Sequence, residues 1–160
     1  MIRSYIAIGS NLANPVQQAQ QALTALAQLP QCQLLACSRF YRSPPFGPPY
    51  DQADYLNAVV ALETSLLPLM LLEALQTIEQ QQGRQRTAQR WGARTLDLDL
   101  LLYGNQQQQN PQLHLPHPGL RERPFVLYPL AEIAPALILP DGTPLTQLLQ
   151  QISDDSLTLY

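Results

Sequence analysis

The amino-acid sequence predicts an α+β fold of the ferredoxin-like kind, a three-layer α/β/α arrangement in which helices flank an antiparallel sheet. The length of 160 residues is that of one ordinary domain, so we expect a single domain over residues 1–160. Hydrophobic residues make up 46% of the chain and charged residues 13%, which is typical of a compact globular protein. Apolar periodicity along the chain then gives the order β-α-β-β-α-β, with additions at the end.

The first predicted elements are a strand over residues 4–8 and a helix that begins at Asn14 and Pro15 and ends near residue 29. Asn is a common N-cap residue and Pro is common at the first helical position, so this pair predicts the helix start. Apolar residues at helical spacing should face the sheet: Val16, Ala19, Leu23 and Leu26.

The rest of the main sheet is predicted over residues 34–41, 55–64 and 96–103, with a second helix from Pro68 before the last strand. Period-two alternation in the strand over 55–64 puts Asn57 on one of its two apolar faces, where an amide is out of place. The second helix should bury one stripe: Met70, Leu71, Ala74, Leu75 and Ile78.

The C-terminal third is predicted to add smaller elements. Gln106 to Gln109 reads as a hairpin or loop after Gly104 and Asn105. A short helix over residues 125–133, a brief strand over 137–139 and a turn at Asp141 and Gly142 should follow. A last helix is predicted from about residue 144.

The start of the chain and the cysteines favour a cytoplasmic protein. Residues 2–8 are short, contain Arg3 and do not resemble a signal peptide, and no run reaches membrane-spanning length. If Cys32 and Cys37 share a strand, their odd separation predicts thiols on opposite faces, which disfavours a disulfide or a shared metal. We therefore expect core thiols in a reducing compartment.

The basic residues indicate a small anionic ligand. The formal net charge is -3, yet six of the nine basic residues lie between positions 84 and 123, and all nine are arginine. Absence of lysine excludes a P-loop, whereas the planar guanidinium binds phosphate oxygens in pairs. Two long connections, over residues 43–54 and 83–94, are typical of lids or binding loops, with surface padding as the plain alternative.

The most specific chemical pattern is Asp97-Leu98-Asp99 within the last main strand. Alternation turns both carboxylates to one face with their Cα atoms about 7 Å apart. Their repulsion of roughly 2 kcal/mol at an effective dielectric near 20 calls for compensation, and Mg²⁺ prefers one or two carboxylates together with waters and phosphate oxygens. The alternatives are a solvated strand face paired with arginines, a phosphatase of the aspartyl-phosphate type and a sugar-nucleotide transferase.

The run RWGARTLDLDLL at residues 90–101 resembles the signature of the 6-hydroxymethyl-7,8-dihydropterin pyrophosphokinase family. Similarity also covers most of the remaining chain in order, at IAIGSNL, YRSPPFG, DYLN, EQQQGR, PHP and RPFVL. The resemblance implies that the pterin hydroxymethyl oxygen attacks the β-phosphorus of ATP, that AMP leaves, and that this step belongs to folate biosynthesis.

The resemblance also implies residue roles. Two Mg²⁺ ions would bind Asp97 and Asp99, and closure of the loop would bring guanidinium groups onto the triphosphate. The catalytic set is Arg84, Arg94, Asp97 and Asp99. The ATP-binding set is Gln76, Glu79, Arg84, Arg86, Trp91, Arg94, Leu100, His117 and Arg123. The pterin-binding set is Ser43, Pro44, Phe46, Tyr55, Asn57, Asp97 and Phe125, with Phe46 and Phe125 as the two stacking faces. A monomer is the family expectation.

Three departures from the family pattern and two other functions remain open. Gly119 stands where relatives often carry a basic residue, Pro124 replaces a small residue and Ser43 replaces threonine, so Arg121 is a candidate for a lost phosphate contact. A ferredoxin-like sheet with arginine-rich loops also suits a non-catalytic RNA-binding module, although paired carboxylates would repel a phosphodiester chain. An inactive relative that retains nucleotide binding is the other alternative.

Overall fold

A computed structural model describes residues 1–11, 14–44, 53–83, 96–153 and 156–160. The strands are β1 (Ile2–Ser10), β2 (Cys32–Cys37), β3 (Tyr41–Ser43), β4 (Tyr55–Thr64), β5 (Asp97–Tyr103), β6 (Gln108–Gln109), β7 (His114–Leu115) and β8 (Thr158–Leu159). The helices are α1 (Pro15–Ala27), α2 (Pro68–Gln81), α3 (Pro124–Ile133) and α4 (Leu145–Gln150), and a 3-10 turn spans Leu120–Glu122. Over these described ranges, the longest helices are too short and too polar to cross a bilayer.

The main sheet is antiparallel throughout, with the strand order β5-β1-β4-β3-β8. β2 also pairs with β4, along its C-terminal half, while β3 pairs with the N-terminal half. β6 and β7 form a separate two-stranded hairpin. The α+β class and the antiparallel sheet flanked by helices are therefore confirmed.

Two hydrophobic cores lie on opposite faces of this sheet. The first core packs α1 and α2 against one face, through Ala19, Leu26, Leu71, Leu75, Ile6, Ile8, Leu56, Val60, Leu98 and Leu100. The second core packs α3 and α4 against the other, through Leu127, Leu130, Leu145, Leu148, Tyr5, Val59, Ala61 and Leu101. Since strand side chains alternate, one strand supplies both cores, which produces the three layers.

The observed helix starts agree with the predicted ones only in part. Asn14 holds the N-cap position of α1, as predicted, but its backbone is left-handed at φ 60° and its side chain accepts no capping hydrogen bond from the described residues of the helix. Asn tolerates this conformation better than most residues. Pro15 and Pro68 occupy first-turn positions of α1 and α2, where a missing N–H costs nothing.

A β-bulge in β2 overturns the expected placement of the two cysteines. Leu34 pairs with Leu62 and Ala36 with Ala61, so Leu35 is left over in the register. The extra residue restores Cys37 to the face of Cys32, and both pack against the first core. Both thiols are free. Their partners in β4 are four residues apart, which puts their Cα atoms about 13 Å from each other, beyond disulfide reach.

Several element predictions were wrong in detail. The predicted strand over 34–41 divides into β2 and β3 at Ser38. The Ser38 N–H still donates to the Val59 carbonyl, but the Val59 N–H donates to the Ser38 side-chain Oγ. The predicted strand over 137–139 is only a single bridge between Ile138 and Pro144. Met70, assigned to the buried stripe of the second helix, is 47% exposed.

Glu132 in α3 ties that helix to the segment between β2 and β3. Its carboxylate accepts hydrogen bonds from the Arg39 main-chain N–H at 2.8 Å and from Arg39 Nε at 3.2 Å, and a further one from the Tyr41 hydroxyl. Burial raises the pKa of Glu132, but the hydrogen bonds from Tyr41 and Arg39 outweigh it, so the pKa lies below its ordinary value. This contact fixes α3 over β3 and β4.

Candidate active site

A row of residues in register crosses four strands at one end of the sheet. Asp97 in β5 faces Gly9 in β1, Gly9 faces Asn57 in β4, and Asn57 faces Tyr41 in β3. Residues opposite each other in antiparallel strands project to the same face. Because Gly9 has no side chain, β1 puts nothing between the Asp97 carboxylate and the Asn57 amide, whose Cα atoms lie about 10 Å apart.

Gly9 is a member of this row that the residue types alone did not indicate. A Cβ built on it would lie 3.9 Å from the Asp97 Cβ, in ordinary contact, so an alanine would partly fill the space beside that carboxylate. The available signal was a glycine inside an otherwise apolar strand, which marks close approach of a ligand or another backbone. Gly9 therefore leaves open space in the middle of the row, with the Asp97 carboxylate on one side and the Asn57 amide on the other.

Asp97 and Asp99 are partly exposed, whereas Leu98 and Leu100 between and beyond them are buried in the first core. The two carboxylates thus lie on one face of β5, toward α3 and α4. The Asp99 side chain is 44% exposed, which leaves it accessible to solvent and ligand. Among the described residues, no group of three or more His, Cys, Asp or Glu side chains converges.

His117 stands beside Asp99. Its Nε2 lies 4.0 Å from Asp99 Oδ2, and its main-chain N–H donates to the Leu101 carbonyl in β5 at 2.9 Å. The Gly119 N–H donates to His117 Nδ1 at 3.0 Å, so the proton of the neutral ring sits on Nε2, toward Asp99. Burial lowers the pKa of His117; Asp99 raises it and Arg123 lowers it further, and the net direction is downward.

Arg123 completes this side of the site. Its guanidinium lies over the Phe125 ring, with Cζ 5.8 Å from the ring centroid, and its charge acts on His117. Arg121, the candidate for a lost phosphate contact, instead pairs with Asp141. Each of four predicted site residues therefore interacts in space with the next one: Asp99, His117, Arg123 and Phe125.

The other side of the site is the pair formed by Asn57 and Ser43, both buried. Asn57 Nδ2 donates to Ser43 Oγ at 2.7 Å and more weakly to the Tyr55 carbonyl at 3.4 Å. These two bonds fix the amide plane and direct Oδ1 away from them as an acceptor. Tyr55 is half-buried opposite Ser43, and Pro44 is exposed directly after β3.

Three predicted nucleotide residues lie on or behind the outer edge of β5. Gln76 is exposed on α2, whereas Glu79, one turn later, is 4% exposed and accepts a hydrogen bond from the Leu98 N–H at 2.8 Å. The Leu100 side chain is buried in the first core, on the face opposite the aspartates. Only the main chain of Leu100, in the terminal strand of the sheet, can meet a ligand at that edge.

Five predicted site residues lie outside the described part of the chain. These are Phe46 in the connection after β3 and Arg84, Arg86, Trp91 and Arg94 in the connection before β5. Both connections begin and end at described residues. Ser43 ends β3 and Tyr55 begins β4, while Gly83 follows α2 and Leu96 precedes β5.

The chain matches the family model described as 7,8-dihydro-6-hydroxymethylpterin-pyrophosphokinase (HPPK) over residues 5–135. It is 53% identical over 154 residues to the Haemophilus influenzae 2-amino-4-hydroxy-6-hydroxymethyldihydropteridine pyrophosphokinase, covering 96% of this chain and 95% of the relative. It is 54% identical over 147 residues to the Pseudomonas aeruginosa protein of the same name, covering 92% and 90% respectively.

The fold is similar to that of a solved Plasmodium falciparum protein, HPPK-DHPS wild type with pteroate. The TM-score is 0.73 at 12% sequence identity, over 94% of this chain. The chain spans 42% of that longer protein. At this identity the likeness supports the architecture alone, and it agrees with the three layers described above.

Proposed function

This chain belongs to the 7,8-dihydro-6-hydroxymethylpterin-pyrophosphokinase family, and from that premise we propose that it transfers diphosphate from ATP to 6-hydroxymethyl-7,8-dihydropterin. The products are AMP and the pterin diphosphate, and the step belongs to folate biosynthesis. The hydroxymethyl oxygen attacks the β-phosphorus of ATP; a new O–P bond forms, the bond between that phosphorus and the oxygen bridging to the α-phosphate breaks, and the hydroxyl proton is lost.

The observation that carries this proposal is the row at the end of the sheet. It holds the Asp97 carboxylate and the Asn57 amide on one face across the bare Gly9, so an anionic cosubstrate and a heterocycle fit side by side. The span of about 10 Å between the Asp97 and Asn57 Cα atoms suits a bicyclic ring with a short hydroxymethyl arm. Both ends of the row carry residues of the family signature.

Two partly exposed carboxylates on one face fit Mg²⁺ bound with water and phosphate oxygens, and we propose two ions held by Asp97 and Asp99. When bound, such ions neutralise the triphosphate and the charge that develops during transfer. The chain itself fixes the spacing of the two carboxylates, because β5 pairs with β1 at Asp97 and Asp99. On the other edge of β5, Glu79 accepts a hydrogen bond from the Leu98 N–H.

His117 and Arg123 are proposed as nucleotide ligands. The neutral His117 ring carries its proton on Nε2, 4.0 Å from Asp99 Oδ2, so we propose that it donates to a phosphate or ribose oxygen bound beside that carboxylate. Arg123 brings a guanidinium, which binds phosphate oxygens in pairs. Gln76, Glu79 and the Leu100 main chain are assigned to the nucleotide at the outer edge of β5.

The loop arginines are assigned from the family resemblance. We propose that Arg84 and Arg94 act on the transferring group, with Arg86 and Trp91 beside them, and that loop closure excludes water from the triphosphate. Phosphoryl transfer depends mainly on positioning and charge neutralisation, which is what such a closure would add.

The pterin site is assigned to the Asn57 side of the row. Asn57 Oδ1 accepts from the pterin, since Nδ2 is engaged with Ser43 and Tyr55. Phe125 and Phe46 are the proposed stacking faces, and Pro44 and Tyr55 line the entrance. We further propose that the protein acts as a monomer in the cytoplasm, on small molecules alone.

The test is to incubate the protein with Mg²⁺, ATP and 6-hydroxymethyl-7,8-dihydropterin and to identify the nucleotide product. AMP in equal amount to pterin diphosphate is the expected result, whereas ADP would mean an ordinary kinase. Binding of an ATP analogue without any turnover would identify an inactive relative. Affinity for ATP that is the same with and without Mg²⁺ would contradict the role of the aspartates.

A further inference from the structure

We propose that Gly119 is a positioning residue for Arg123: its bare Cα forms the surface against which the Arg123 guanidinium lies, and this holds the guanidinium beside His117. The inference rests on the proposed function, since it takes Arg123 as a nucleotide ligand. It gives Gly119, which stands where a basic residue is common, a role of its own in this chain.

The contact is too close for any side chain at position 119. A Cβ built on Gly119 would lie 2.4 Å from Arg123 Nε, 2.6 Å from Cζ and 2.9 Å from Nη2. Three atoms of one guanidinium at such distances mean that the planar group lies flat against the main chain. Ordinary carbon contacts begin near 3.5 Å, so an alanine would displace the guanidinium by about 1 Å.

The backbone conformation of Gly119 does not itself demand glycine. Its φ of -90° and ψ of 0° are open to other residues. The requirement therefore comes from the Arg123 contact alone. Because the guanidinium is the far end of a flexible side chain, it can move away from a new Cβ, so the substitution should change its position far more than the stability of the fold.

The residues around the Arg123 guanidinium define the position that it would lose in Gly119→Ala. Arg123 lies between Gly119 and the Phe125 ring, and the Gly119 N–H also donates to His117 Nδ1. A single turn of chain thus orients both proposed nucleotide ligands. Arg121 is engaged with Asp141, so it does not replace a displaced Arg123 without breaking that pair.

The experiment measures affinity for a non-hydrolysable ATP analogue with Mg²⁺, by calorimetry, in wild type, Gly119→Ala, Arg123→Ala and the double variant. We expect Gly119→Ala to weaken binding about tenfold, as a misplaced charge-assisted contact should. In the Arg123→Ala background, Gly119→Ala should add less than about twofold, because the guanidinium it displaces is gone.

A second measurement follows the Arg123 Nε–H signal by NMR, assigned by its loss in Arg123→Ala. The signal should shift in Gly119→Ala while the melting temperature stays near that of wild type. An unmoved signal, a Gly119→Ala affinity equal to wild type, or equal weakening with and without Arg123 overturns the positioning role. If Arg123→Ala itself binds the analogue like wild type, the nucleotide role of Arg123 fails as well, which separates the two errors.

Discussion

Replacing Glu79 tests how the strand with the two aspartates is held. Its carboxylate, 4% exposed, accepts the Leu98 N–H at 2.8 Å between Asp97 and Asp99. Glu79→Ala removes a hydrogen bond to a charged group and leaves a buried N–H without that acceptor. Each of these effects is of order 1 to 3 kcal/mol and they overlap, so we expect the free energy of unfolding to fall by about 3 kcal/mol.

The assay is thermal and urea unfolding of Glu79→Ala, Glu79→Gln and a matched control. For a domain of this size, about 3 kcal/mol corresponds to a melting temperature lower by about 6 to 12 °C. Glu79→Gln keeps an oxygen acceptor at the same reach and should lose less than half as much. The control is Gln76→Ala, exposed one turn earlier on α2, which should change stability by less than about 0.5 kcal/mol.

The result that would refute the reasoning is Glu79→Ala as stable as Gln76→Ala, since the buried hydrogen bond would then contribute nothing. Glu79→Gln as damaging as Glu79→Ala would equally contradict it, because the role would then belong to the charge and not to the acceptor. Turnover measured on the folded variants adds a second test. Loosening β5 should lower the rate of AMP formation more in Glu79→Ala than in Glu79→Gln.

Four further predictions concern single groups. Asp97→Ala or Asp99→Ala should abolish AMP formation with circular dichroism unchanged, and turnover in both variants would remove the metal site. Arg94→Ala should slow the transfer step in single-turnover kinetics more than it weakens ATP binding, and a pure affinity loss would contradict its role. Hydrogen bonds hold the pKa of Glu132 below its unfolded value near 4.5, so the stability that Glu132 adds is present above that pH and is lost as the pH falls through the folded pKa. In urea unfolding, Glu132→Gln should therefore lose less stability below pH 4.5 than wild type does. Equal pH profiles would argue against the contact of Glu132 with Arg39 and Tyr41. Burial raises the pKa of Cys37 to about 11. In the Cys32→Ser variant, Cys37 should therefore react with a thiol reagent at pH 8 at least about tenfold more slowly than a free peptide cysteine does. Equal reaction rates would show that the thiol is not protected.

The local pattern was enough for most of the main elements. The strand over 55–64 was predicted with its observed bounds, and the helices that start at Pro15 and Pro68 begin where the sequence places them. These segments have long apolar periods and clear start signals, so local information decides them. The short strands β3 and β8 were missed as separate strands because each exists only through pairing with a distant segment. β7 was missed although its partner β6 is close in sequence.

The candidate site was predictable where it depends on alternation within one strand. Asp97 and Asp99 share a face as expected, and Asn57 lies on a face with Ser43 as its partner. The contacts of Gly119 and Glu79 were not predictable, since each depends on which residue lies opposite in space. A bare Cα beside a guanidinium leaves no mark in composition or period, whereas Gly9 could have been noticed as a glycine inside an apolar strand.

The bulge in β2 sets which changes of length the strand tolerates. Leu35 is the one residue of β2 without a partner in β4, and it is 38% exposed. Deleting it would make Leu34 and Ala36 ordinary neighbours opposite Leu62 and Ala61, so the other side chains of β2 would keep their observed faces without a slip of the ladder. The bulge thus accommodates the additional leucine, so that residues at both ends of one short strand pack against the same core.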